Sequence, residues 1–169
     1  RFSFMYYDRL GDRKAKMKKI DDAWHTIRKM ERKIPFHIRI SSLVTYSSAL
    51  MEMGEYSKAL DWIGLFQQKK KEEEARTDVQ SILLMLQLIA HYELGNTLLV
   101  KNIVPNIARF IRKAGQQGAF EKIALRFFGK ITSAKEFSPK EFSDTLAELQ
   151  SLKDGDIMNR NRTLHDIFS

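Results

Sequence analysis

The chain contains no cysteine, and that absence removes disulfides, thiolate zinc sites, iron–sulfur clusters and cysteine nucleophiles together. Only three prolines and eight glycines occur in 169 residues, so long stretches are free of helix breakers. No apolar run approaches the roughly 20 residues needed to cross a bilayer. SILLMLQLIA at 81–90 comes nearest, but Gln87 interrupts it and His91 and Glu93 soon follow. It reads as a buried helix. RFSFMYY at the start lacks the apolar core of a signal peptide and has no initiator methionine. A reducing compartment is therefore permitted, and the expected location is cytoplasmic.

Catalytic patterns are missing as well. The four histidines, His25, His37, His91 and His165, form neither an HExxH pair nor a compact cluster with carboxylates. His91 and Glu93 stand two apart, which sends them to different sides of a helix. GxxxxGK[ST], GxGxxG and GxSxG are absent, so phosphate cradles and nucleophile elbows have no sequence support. The expectation is a protein that is not an enzyme, with no cofactor and no metal.

What is present suits packed helices. At 169 residues the chain is long enough to bury about two thirds of the surface its unfolded form would expose, and 43% hydrophobic with 30% charged residues is a balance that suits helices. The formal net charge of +8 attracts nucleic acid, anionic membranes or acidic protein segments, and composition alone does not choose among them.

The strongest organisational signal is a repeated joint. In MEMGEYSKALDWI, residues 51–63, the helical row Leu43, Tyr46, Leu50 and Met53 stops at Gly54 and a new row begins with Tyr56, Leu60 and Ile63. Glycine after a helix end permits the left-handed backbone that closes the last turn. HYELGNTLLV repeats the arrangement at Gly95, and YYDRLGDRKAKM repeats it at Gly11, with separations of 43 and then 41 residues. A large apolar residue precedes each glycine (Leu10, Met53, Leu94) and a polar one follows (Asp12, Glu55, Asn96). So short a turn folds two helices back on each other.

Helices are predicted over about 1–9, 13–33, 37–53, 56–71, 76–94, 97–114, 118–131 and 139–153. Pro35 separates the second from the third, and Gly115 and Gly118 make the turn before the seventh. Pro105 predicts a kink in the sixth, or a true start near Asn102. Ser138, Pro139 and Glu141 compose a helix-start signature with a capping box. Residues 154–169 are polar and aperiodic, and read as a tail that docks at most through Leu164, Ile167 and Phe168.

This pattern resembles the tetratricopeptide repeat (TPR), a helix-turn-helix unit that stacks into a right-handed solenoid. Ser47, Leu50, Gly54, Tyr56 and Ala59 carry the likeness in one hairpin. The next keeps Gly95 but has Leu88, Thr97 and Val100, and the first has Arg13 and Lys16 in place of tyrosine and alanine. The stretch from Leu83 to Ile131 is also similar to the C-terminal part of uncharacterised TPR-like proteins of Bacteroidetes. The resemblance implies an all-α fold of antiparallel helix hairpins stacked over residues 1–153. Ten residues precede Gly11, whereas a whole helix precedes Gly54 and Gly95, and further hairpins are therefore expected upstream.

A TPR-like stack implies a concave groove lined by the first helix of each hairpin. In this register the groove residues are Ser41, Val44, Ser48, Met51, Ile82, Met85, Ile89 and Tyr92. TPR domains that grip acidic chaperone tails carry lysines and asparagines where this chain has Ser41, Val44, Thr45 and Ser48, so an apolar peptide or another helix fits better.

Basic residues supply a second surface. Arg109, Arg112 and Lys113 close one helix, and Lys122, Arg126 and Lys130 recur every fourth residue along the next. Merged, they make a stripe suited to phosphate. Cations at a helix C-terminus also complement its dipole, a purely structural use. RKAKMKK and RKMERK, flanking Trp24, fit the solvated side of an amphipathic helix. Phe120, Phe127 and Phe128 have core spacing rather than base-stacking spacing, each contributing on the order of 2 kcal/mol when buried. KKKEEEAR at 69–76 offers weak ion pairs and no chemistry.

The expected function is a noncatalytic protein–protein interaction scaffold that binds a protein or peptide in its groove. A nucleic-acid-associated module using the basic stripe is the alternative, and a regulatory domain of a longer protein is a third.

Overall fold

A computed structural model describes residues 12–30, 33–67, 77–133 and 139–151, and among them seven helices and no strand are present. The chain divides into two compact units, residues 1–68 and 69–169, with the boundary inside the span expected as one array. The helix expected over 1–9, the joint at Gly11, the cap at Ser138 and the tail at 154–169 lie outside the described residues.

In the first unit, α1 spans Arg13–Met30, α2 Phe36–Glu52 and α3 Tyr56–Gln67. Asp12 starts α1: its Oδ1 accepts the backbone N–H of Ala15 at 2.9 Å, satisfying one of the donors that a helix N-terminus leaves open. Pro35 stands at the N-cap of α2, where a missing N–H costs nothing.

The predicted joint at Gly54 is real in detail. Gly54 has φ +73°, its N–H reaches the carbonyl of Met51 at 3.0 Å, and the Glu55 N–H reaches that of Leu50 at 2.9 Å. That pair of bonds is the Schellman closure, which occupies carbonyls the ending helix would otherwise leave bare. α3 then folds back on α2. Ile40, Leu43, Leu50, Ala59 and Ile63 are buried with Trp62, whose ring lies 5.1 Å from Trp24 and 5.0 Å from Tyr46. Ion pairs tie α1 to the hairpin at its surface: Arg13 to Glu55 (2.7 Å), Lys16 to Glu52 (3.9 Å) and Lys58 to Asp21 (3.8 Å). The exposed pairs, Arg13 with Glu55 and Lys58 with Asp21, contribute about 0–1 kcal/mol each, whereas the Lys16 side chain is itself buried. The apolar faces dominate.

In the second unit, α4 spans Thr77–Glu93, α5 Thr97–Lys113, α6 Ala119–Thr132 and α7 Pro139–Ser151, and each packs on the next. Gly95 (φ +73°) repeats the Gly54 closure, with Gly95 bonded to Tyr92 and Asn96 to His91, both at 2.9 Å. Gly115 (φ +68°) makes it a third time between α5 and α6, through Gly115 to Arg112 and Gln116 to Ile111. One backbone device therefore closes the ends of α2, α4 and α5.

Pro105 neither starts nor ends a helix: α5 runs unbroken from Thr97. Proline frees the carbonyl four residues earlier, here that of Lys101. Both residues are on the exposed side of α5, where water can take that carbonyl. Val100, Val104, Ile107 and Ile111 form the opposite, buried row. They join Met85, Leu88, Ala124, Leu125 and Phe128 in one hydrophobic cluster.

Candidate functional site

The groove residues of α2 and those of α4 are each used in part by the packing of their own unit. In α2 a broad apolar face is needed to cover its own hairpin, and Val44, at 5% exposure, belongs to it. Ser41, Ser48 and Met51 are half-buried along its margin. Correction is needed at α4. Met85 is 2% exposed and sits in the hydrophobic cluster, Ile89 packs against that cluster, and Tyr92 stands edge-on to Phe127 (6.2 Å) and Phe128 (5.4 Å). Aromatic rings from α6 thus cover part of the face assigned to a partner. The adjacent pair Phe127 and Phe128 was the signal for this, because two neighbouring rings on a helix need a wide apolar counterpart.

The basic residues are placed differently. Arg109, Arg112 and Lys113 are exposed on the C-terminal half of α5, and Lys122, Arg126 and Lys130 are exposed on α6. The Gly115 turn returns the chain so that Arg112 and Lys113 share one end of the hairpin with Lys122. Arg126 is ion-paired to Glu148 of α7, which withdraws it from the stripe in part. Arg112 and Lys113 also occupy the last turn of α5, where they complement its dipole.

The neighbouring carboxylates decide the sign of this surface. α5 has no acidic residue, and the hairpin 97–132 has one, Glu121, against seven lysines and arginines. Glu121 is 1% exposed, and its Oε2 accepts the backbone N–H of Gly118 at 3.1 Å, half of a capping box at the start of α6. Its carboxyl group is used inside the fold. Outward, the hairpin offers positive charge alone.

A feature absent from the sequence reading stands beside it. Leu94, Leu98 and Leu99 are exposed around the Gly95 joint, Leu98 to 73%. Register exposes their oddity. Counting from each glycine, Ala59 and Val100 coincide and are both fully buried, but the preceding pair is Ser57 and Lys58 in one hairpin and Leu98 and Leu99 in the other. The frame asks for nothing apolar there. Aligning the hairpins residue by residue gives the signal.

His91 serves the same joint. Asn96 Nδ2 lies 3.3 Å from His91 Nδ1 and donates to it when the ring is neutral with its proton on Nε2. Burial lowers the His91 pKa below the ordinary 6.5, so the unfolded chain takes up a proton at a pH where the folded chain stays neutral. Stability from this group should be complete above about pH 6.5 and decline as pH falls through the lowered value. Thermal melts of His91→Gln should show a flatter acid limb than the parent; an identical limb would remove His91 as its source.

A shallow hollow at the end of α1 is lined by His25, Thr26, Lys29, Met30 and Lys33, all from one short stretch of chain. Among the described residues, no three of His, Asp and Glu come together as a metal site. No described helix is long and apolar enough to cross a membrane. Comparison with family models, curated proteins and solved structures gives no match.

Proposed function

We propose that the chain is a noncatalytic protein-interaction module of TPR-like helical hairpins, holding fixed side chains out to a protein partner. The observation that carries this reading is the contrast between the Gly54 and Gly95 joints. Their backbone closure is the same, while the outward positions change from Ser57 and Lys58 to Leu98 and Leu99. A constant frame with variable exposed residues is how helical repeats present contacts. Solvent-exposed leucines grouped at one joint mark an interaction surface rather than a packing need.

Affinity capture with the intact protein from its native cells, after nuclease treatment, tests the reading. A protein partner retained through nuclease is expected; capture of none would overturn it. The positive outward face of the α5–α6 hairpin favours a second reading, association with nucleic acid. Phosphate-dominated binding falls steeply with salt. A fluorescent oligonucleotide showing no binding at low salt would eliminate it.

A further inference from the structure

The outer face of α5 joins exposed leucines to exposed cations. Eleven residues separate Leu98 from Arg109, close to three helical turns, so the two side chains project from nearly the same side of the helix about 16 Å apart. Lys101 and Arg112 fall within the same sector, and Lys113 borders it. All are exposed. The face therefore begins in an apolar anchor and ends in a cluster of cations, with no carboxylate anywhere on the helix.

We infer that this face binds an acidic protein segment that also carries an apolar side chain, the apolar group seating on Leu98 and Leu99 and the carboxylates on Arg109, Arg112 and Lys113. The inference rests on the protein-interaction reading and names the chemistry of its partner. Arginine suits the task because its guanidinium offers paired donors to a carboxylate. The surface lies on the second helix of its hairpin, away from the face a TPR groove would use.

Charge argues against the other occupants. A second copy would bring the same cations against these, and like charges placed together oppose association. A duplex or single strand would satisfy the cations but leave Leu98 without a use, and no aromatic ring is exposed on α5 or α6 for bases to stack on. Phe110, Phe120 and Phe127 are held against the hydrophobic cluster. An interfacial helix needs an apolar stripe along its length. The apolar stripe of α5 is already spent on Val100, Val104, Ile107 and Ile111.

The test uses the full chain and a fluorescent synthetic peptide with leucines at one end and glutamates at the other. Controls are its glutamine-for-glutamate copy, its serine-for-leucine copy, an oligonucleotide, and vesicles of phosphatidylcholine and phosphatidylserine. Saturable binding of the peptide is expected, with both altered peptides at least about tenfold weaker. Leu98→Ser, and separately Arg109→Glu with Arg112→Glu, should each weaken it at least about tenfold while circular dichroism stays unchanged. Equal binding of the glutamine copy, tighter binding of the oligonucleotide or the vesicles, or no peptide binding overturns the inference. Cellular capture separates its failure from that of the broader reading. If the doubly substituted chain retains every partner the parent captures, this surface is wrong and the scaffold survives; if the parent captures none, the scaffold itself falls.

Discussion

Replacing Trp62 by alanine should destabilise the first unit by about 3–5 kcal/mol, the range for removing a fully buried large aromatic side chain. The indole is 2% exposed and meets Trp24 edge-on at 5.1 Å and Tyr46 at 5.0 Å. Its loss removes the transfer energy of one large side chain and leaves a cavity that α1 and α2, held by backbone geometry, fill incompletely. Ring contacts with Trp24 and Tyr46 are lost as well, each worth about 0.5–1.5 kcal/mol beyond burial. Both tryptophans lie in the first unit, so after the substitution Trp24 alone reports on that unit in a denaturant titration. A change below about 1 kcal/mol would be incompatible with Trp62 as a core residue.

Tyr46 supplies an independent readout. Burial raises its pKa above 10.0, so the phenol remains protonated in the fold at a pH where the unfolded chain ionises. The stability it contributes is present below pH 10.0 and lost as pH rises through the raised value. Uncovering the ring in Trp62→Ala should bring its ionisation back toward the ordinary value, visible in an ultraviolet titration as an earlier onset of tyrosinate.

Helix positions were legible because local physics writes them directly into the chain. Pro35, Gly54, Gly95 and Gly115 punctuate rows of apolar residues spaced for a helix, and the positive φ at Gly54 and Gly95 is what their sequence setting demanded, while at Gly115 that setting indicated only a turn. The buried character of SILLMLQLIA was equally plain. Which neighbour buries each face was not. α4 hides Val79, Leu83 and Ala90 on one side and Met85 and Leu88 on another. A single-stripe register gave one of those sides to a partner. Burial on two sides is a property of three-dimensional packing, and Met85, Ile89 and Tyr92 look the same in sequence whether a peptide or Phe127 and Phe128 cover them. The cations of α5 and α6 fared otherwise, since all six expected at the surface are exposed, whereas Lys16 of α1 and Arg39 of α2 are buried.

The same small substitution should have opposite signs at two glycines of the first unit, Gly54 and Gly64. Gly54→Ala should destabilise by about 1 kcal/mol, and Gly54→Val by about 1–2 kcal/mol or more, because φ +73° forces a β-carbon toward the following carbonyl. A β-carbon built there meets no atom within 4 Å, so the cost is local backbone strain rather than collision with a neighbour. Asparagine, which tolerates the left-handed region, should cost less than alanine. Gly64 lies inside α3 with equally open surroundings and no positive φ. There alanine restricts the unfolded chain without straining the folded one, and Gly64→Ala should stabilise by about 0.4–1 kcal/mol. Both sites belong to the first unit, so tryptophan fluorescence during unfolding compares them under one probe. Because a β-carbon at neither site would touch another residue, stabilisation at both would mean that the Gly54 joint lacks the left-handed turn. Strain at Gly54 alone, with relief at Gly64, ties the recurring hairpin to its backbone closure and leaves the outward residues free to vary.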